Sequence, residues 1–104
     1  MANITQREVF IMEYRRFGNT IYLRLDPKEE ILEEIGKVAK KENIRLAQVT
    51  GLGAINDFTA GVYNTVTKEY HSIQFQGAFE IVSLTGTVTR KDGDVYLHLH
   101  IAAG

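Results

Sequence analysis

Phe79-Glu80-Ile81-Val82-Ser83-Leu84-Thr85-Gly86-Thr87-Val88-Thr89-Arg90-Lys91-Asp92-Gly93-Asp94-Val95-Tyr96-Leu97-His98-Leu99-His100-Ile101-Ala102 reads as two β-strands around one turn. The first strand, Phe79 to Arg90, is rich in Val, Ile, Leu and Thr, the residue types that suit a pleated, half-buried surface. Lys91-Asp92-Gly93-Asp94 is the strongest hairpin signal in the chain, because Asp-Gly tolerates the positive φ angles of a tight primed turn. Val95 to Ala102 returns as the second strand. Successive strand residues alternate faces, so Leu97, Leu99 and Ile101 point to a core while His98 and His100 share the opposite face.

The remaining strands precede this hairpin. Glu8 to Tyr14 and Thr20 to Leu25 read as strands flanking a turn at Arg15-Arg16-Phe17-Gly18-Asn19. Arg45 to Thr50, Ile55 to Tyr63 and Tyr70 to Phe75 are three more, punctuated by Gly51-Leu52-Gly53 and by Asn64-Thr65. Only one segment has helical periodicity. Asp26 is the expected cap, Pro27 the first helical position, and Glu29 stands three residues after the cap. Ile31, Leu32, Ile35, Val38 and Ala39 then form one apolar face, Glu33 and Lys37 an i,i+4 pair, and Asn43 the C-terminal cap. One amphipathic helix packed on a mostly antiparallel, hairpin-linked sheet is an α+β fold, and residues 1–104 are expected to form a single domain.

Composition limits the function. The chain has 104 residues, 12 Lys+Arg, 13 Asp+Glu, no Cys and a net charge of −1. There is no thiol for catalysis, metal ligation or disulfides, and a reducing, cytoplasmic location is the expectation. No apolar run approaches the roughly 20 residues of a membrane-spanning helix, and no signal peptide is visible from Met1 to Arg7. Charge is unevenly spread. Residues 1–45 hold nine Lys/Arg and eight Asp/Glu, whereas residues 46–104 hold Lys68, Arg90 and Lys91 against Asp57, Glu69, Glu80, Asp92 and Asp94. Basic residues cluster only in pairs, a small electrostatic footprint for DNA, which rewards many simultaneous phosphate contacts.

Four groups of residues are candidates for chemistry. Gly51-Leu52-Gly53 follows a strand as a dinucleotide loop would, but the third glycine position is Asn56 and no helix follows, so a bend or bulge is expected. His98 and His100 are the candidate metal ligands, since neighbouring neutral imidazoles suit zinc and similar divalent ions. His71, Asp57, Glu80 or a residue of another subunit would supply further ligands; two surface histidines without metal are the alternative. Glu80 is the only acid between Glu69 and Asp92 and the candidate catalytic acid or base, or else the solvent-facing residue of its strand. Ser83, three residues on, is expected on the other face. Arg24 and Asn56 are candidate ligand or interface residues.

The order and spacing of four stretches resemble the plants-and-prokaryotes-conserved (PPC) domain: Arg24-Leu25-Asp26-Pro27 with Glu29-Glu30-Ile31; Val49 to Asp57; Gly77-Ala78-Phe79-Glu80-Ile81-Val82-Ser83-Leu84-Thr85-Gly86; and Leu97-His98-Leu99-His100-Ile101. The resemblance implies an α+β fold assembling as a homotrimer, with the His-x-His and Phe-Glu-Ile strands near subunit interfaces. It implies that the paired histidines belong to a metal or ligand pocket, joined in prokaryotic members by a third histidine from a Gly-Gly-His segment. This chain reaches Gly104, still strand-like, without that segment, so a missing C-terminal segment, or one replaced by another chain, is expected. It also lacks the separate AT-hooks through which plant members bind DNA. The expected function is a DNA-binding or regulatory oligomeric module of the stand-alone prokaryotic type. The alternative is a metal-dependent enzyme or small-ligand-binding protein using the His-x-His site.

Overall fold

A computed structural model describes residues 13–104. The chain divides into two compact units, with the division between Arg45 and Leu46. The strand expected at Glu8 to Tyr14 lies almost wholly outside the described residues.

In the first unit, β1 (Glu13–Phe17) pairs antiparallel with β2 (Thr20–Arg24), and α1 spans Ile31–Lys41. The strand runs further than the sequence suggested: Arg15, Arg16 and Phe17 are strand residues, and the turn is reduced to Gly18-Asn19, with Gly18 at φ +63°. Register sets Glu13 opposite Arg24, which places the Glu13 carboxylate 3.4 Å from the Arg24 guanidinium.

The helix begins later than expected. Lys28 adopts φ +75°, which no helix accommodates, so Asp26–Glu29 forms a turn in which the Glu29 N–H donates to the Asp26 carbonyl at 3.2 Å. Glu29 still reaches back, accepting the Asp26 N–H at 2.6 Å. The cap is Glu30, whose carboxylate accepts the Glu33 N–H at 2.7 Å. The buried stripe also differs. Val38 and Ala39 are buried as expected, but Leu32 is exposed and Glu34 is buried in its place. Lys37 compensates that carboxylate at 3.0 Å instead of pairing with Glu33. At the other end Asn43 takes φ +52°, its N–H donates to the Lys40 carbonyl, and the Ile44 N–H donates to the Ala39 carbonyl at 2.8 Å. This is a Schellman motif with Asn43 as its left-handed residue.

Just past the helix, Glu42 ties α1 to β1. The Tyr14 hydroxyl donates to one carboxylate oxygen at 2.9 Å, and the Arg16 guanidinium donates to the other at 3.0 Å. Arg16 first, then Tyr14, hold the Glu42 carboxyl below its ordinary 4.5. A carboxyl whose folded value is depressed stabilises the fold above its ordinary value, and that stability is lost as pH falls through the lowered one. Glu42→Gln is therefore expected to lower the melting temperature at pH 7 and to lose its effect as the medium is acidified below pH 4.5. Melting curves of both forms across pH 7 to 3 check this, and a constant difference would refute it.

The second unit is an antiparallel meander, β3-β4-β5, with β3 at Ala47–Asn64, β4 at Glu69–Lys91 and β5 at Asp94–Ala103. The strand pairs expected on either side of Gly51-Leu52-Gly53, and on either side of Gly77-Ala78, are each one continuous strand. The glycines serve bulges: register shifts fall between Gly51 and Gly53 and between Ile55 and Asp57. Gly53 takes φ +146° and Gly77 φ +140° there. The final turn is the primed type that Asp-Gly predicts, with Asp92 at φ +53° and Gly93 at φ +86°. Buried Ile81 and Val88 lie on the face that β5 continues with half-buried Leu97, Leu99 and Ile101. The bulge between Ile81 and Ser83 corrects one expectation. Glu80 pairs with Gly104, Ile81 with Ala103, and Ser83 with Ala102, so the extra residue, Val82, returns Ser83 to the face of Glu80.

Beyond β5, residues Glu69 to Phe79 of β4 pair with β3 only, forming a two-stranded ribbon. Cross-strand pairs Phe58–Phe75, Ala60–Ile73 and Val62–His71 give the ribbon one largely apolar face. Phe58 stacks on Phe75 at 5.2 Å between ring centroids and meets Phe79 edge-on at 5.4 Å.

Candidate histidine site on the exposed sheet face

His98 and His100 stand on the exposed face of β5, as the alternation predicts. Their Nε2 atoms are 3.1 Å apart and their ring centroids 5.0 Å. The contact has two chemical meanings. Without a metal, the N–H of one imidazole donates a hydrogen bond to the unprotonated nitrogen of the other. With a metal, two Zn–N bonds of about 2.0–2.1 Å set ligand nitrogens roughly 3.3 Å apart at a tetrahedral angle and about 2.9 Å apart at a right angle. The observed separation lies between these two values, and the pair supplies two nitrogens with no third His, Asp or Glu among the described residues to join them.

The register sets the surroundings. Thr87 stands opposite His98 and Thr85 opposite His100, while Gln48 stands opposite Thr87 and Thr50 opposite Thr85. Leu46, Gln48, Thr85, Thr87, His98 and His100 line a shallow, open groove. Sequence reasoning missed the polar neighbours, because only strand register brings them beside the histidines.

The other candidates lie elsewhere. Glu80 is on the same face, but its backbone partner is Gly104, four positions beyond His100, or about 14 Å along the strand at roughly 3.4 Å per residue. His71 is on the ribbon, with Nε2 3.5 Å from the Glu69 carboxylate. Asp57 accepts the Gln74 carboxamide N–H at 2.9 Å. Among the described residues no group of three His, Asp or Glu side chains could hold a metal ion. Arg24 belongs to the first unit and its guanidinium is occupied by Glu13 and Asp26, which together raise its pKa, the hydrogen bond to Glu13 being the largest single cause. Asn56 is exposed at the bulge between Ile55 and Asp57. No described helix is long and apolar enough to cross a membrane.

The model of the Plants and Prokaryotes Conserved (PCC) domain, the PPC domain of the resemblance above, matches residues 12–104. Three solved structures are similar. A provisionally named DNA-binding protein of Bacteroides thetaiotaomicron superposes with a TM-score of 0.85 at 32% identity, over 89% of this chain and 65% of that one. A plant- and prokaryote-conserved protein of Pyrococcus horikoshii gives 0.75 at 33%, over 90% and 64%. A metal-containing protein of Archaeoglobus fulgidus gives 0.74 at 29%, over 77% and 57%. The chain thus spans between 57% and 65% of the length of these three structures. No curated protein matches it.

Proposed function

The chain belongs to the Plants and Prokaryotes Conserved domain family, and from that premise we propose that it works as an oligomeric binding module, three copies closing a ring through the β3–β4 ribbon. The ribbon's apolar face carries this reading. Val62 is 74% exposed, Ile73 63% and Phe75 38%, alongside the Phe58–Phe79 contact. A two-stranded ribbon is marginal in water, and a contiguous exposed apolar patch is usually an interaction surface. Three copies is the number that the family resemblance implies, and head-to-tail contacts close such rings. Light scattering is expected to give three times the 11.7 kDa chain mass. Ile73→Asp, which sets a charge in the middle of the apolar face, is expected to give monomers with unchanged circular dichroism. Wild-type protein running as a monomer at micromolar concentration would refute the ring.

DNA as a partner rests on the provisional name of the Bacteroides protein. The sheet unit offers Lys68, Arg90 and Lys91 against five acids, so phosphate contacts fall to the described basic residues of the first unit, such as Arg15, Lys40 and Lys41. Gel-shift titration tests this: binding should weaken steeply with salt, and no shift at low salt removes DNA from the function.

A second reading is favoured by the 3.1 Å separation of the imidazole nitrogens: His98 and His100 hold a divalent metal of the zinc class. The Archaeoglobus neighbour is metal-containing. Bound there, the ion would supply a Lewis acid on an open sheet face, and the two histidines would orient it. Titration with Zn(II), after stripping with chelator, is expected to reach one equivalent per chain; less than about a tenth of an equivalent would refute the site.

A further inference from the structure

A ring of three needs two different surfaces on each chain, because a patch that pairs with itself closes at two copies. The ribbon's apolar face is one of them. Its receptor does not lie on the sheet from which the ribbon springs. β3 and β4 each run as one strand into the ribbon, and Leu52 stands only three positions before Ile55, where the ribbon begins. An arm continuous with its own sheet cannot fold back on it without breaking the ladder. Ile55 to Asn64 is nine steps of roughly 3.4 Å, about 31 Å of ribbon, long enough to lie across a second copy.

One place on the outward face of the sheet has the required character. Between the pairs Gly51–Leu84 and Gly53–Ile81, β3 contributes Leu52 while β4 contributes Val82 and Ser83. Leu52 alternates with exposed Thr50 and Ala54, and Val82 follows buried Ile81, so both point away from the core. They are 89% and 73% exposed. Ala54 on β3 and Ala102, opposite Ser83 on β5, are small residues on the same face. Two large apolar side chains beside small ones make a shallow seat for the projecting Ile73 and Phe75 of a ribbon. Glu80, opposite Ala54, stands at its edge, and an apolar centre with a polar rim is the usual anatomy of a protein interface.

The other exposed apolar side chains suit an apolar arm less well. Leu46 and Tyr96 are single residues, and Lys91 already lies over the Tyr96 ring at 5.6 Å. Phe17 and Tyr22 meet edge-on at 6.2 Å, but the same face of their hairpin carries Arg15, Arg24 and Glu13, which an apolar partner would desolvate at a cost. The bland account of Leu52 and Val82 is that single apolar residues are normal on a surface. These two are cross-strand neighbours, and Val82 is the inserted residue of a bulge, a device that re-aims side chains.

We propose that Leu52 and Val82 form the receptor for the ribbon of a second copy of this chain, with Ile73 and Phe75 of one chain seated against Leu52, Val82 and Ala102 of the next. The proposal rests on the ring reading above and supplies its second surface.

Head-to-tail contact has a signature that self-pairing lacks. Leu52→Asp spoils only the receptor and Ile73→Asp only the arm, so each is expected to sediment as a monomer when alone. An equimolar mixture of the two is expected to form a dimer of twice the chain mass, joined by the one intact contact. Val82→Asp should behave as Leu52→Asp does, and Tyr22→Asp should remain trimeric. All four positions are exposed, and circular dichroism of each full-length variant verifies its fold. A monomeric wild type overturns the ring and this proposal with it. A trimeric wild type whose Leu52→Asp and Val82→Asp variants are also trimeric overturns this proposal alone and leaves the ring standing. Monomeric Leu52→Asp and Ile73→Asp whose mixture stays monomeric also overturn it, because the two surfaces then do not meet. Monomers from Tyr22→Asp but not from Leu52→Asp overturn it too, by moving the receptor to the first unit.

Discussion

Gly86→Ala is expected to be the most damaging single-methyl substitution in the sheet. A Cβ built on Gly86 would lie 1.9 Å from the His98 carbonyl oxygen, 2.7 Å from a Leu99 methyl carbon and 2.8 Å from the Leu99 Cα. Two of these are backbone atoms, so no rotamer change relieves the overlap and β5 must part from β4 where Gly86 faces Leu99. Overpacking costs about 1–3 kcal/mol, and an overlap with main chain belongs at the upper end. In a domain this size a loss of about 3 kcal/mol lowers the melting temperature by roughly 10–20 °C. The parting occurs between Thr85 and Thr87, so zinc binding at the proposed His98–His100 site should weaken with stability. Gly36 supplies the contrast. It lies in α1, a Cβ there would meet nothing within 4 Å, and Gly36→Ala is expected to raise stability by about 0.5–1 kcal/mol. Gly86→Ala melting within 2–3 °C of wild type, in the same calorimetric series, would show that the strands part at little cost.

The features legible in the sequence were those fixed by a few adjacent residues. Asp92-Gly93 gave the turn because its φ angles are a local property of those two residues. Asn43 ended the helix for the same reason, and the alternation of Leu97, Leu99 and Ile101 placed both histidines on the open face. Readings failed where one residue departs from its local preference. Lys28 at positive φ delays the helix past a well-formed capping pattern, and the extra residue at Val82 reverses the face of Ser83, a one-residue shift that no alternation count detects. The site was half legible. His98 and His100 are neighbours in sequence, whereas Thr85, Thr87 and Gln48 reach them only through pairing between strands up to 50 positions apart, and His98 and Gln48 are joined by no local pattern. The phenylalanines at 58, 75 and 79 were hidden similarly, each an ordinary strand residue until the hairpin register stacks them.

His98→Ala and His100→Ala are each expected to weaken zinc binding at least 100-fold, about 2.7 kcal/mol. The described residues offer the ion two nitrogens, and either substitution removes half of that set and the chelate geometry with it. Both side chains are exposed, so the unfolding free energy without metal should stay within about 0.5 kcal/mol of wild type, which separates loss of the site from loss of the fold. His71→Ala is the control that gives the result its meaning. His71 stands opposite Val62 on the ribbon, on the part of β4 that β5 does not reach, and its removal should leave zinc affinity unchanged. If all three substitutions weaken zinc equally, the ion is held by scattered surface imidazoles and the 3.1 Å pair is a hydrogen bond and nothing more. If only the two on β5 do, the strand alternation that set them side by side also makes the coordination site.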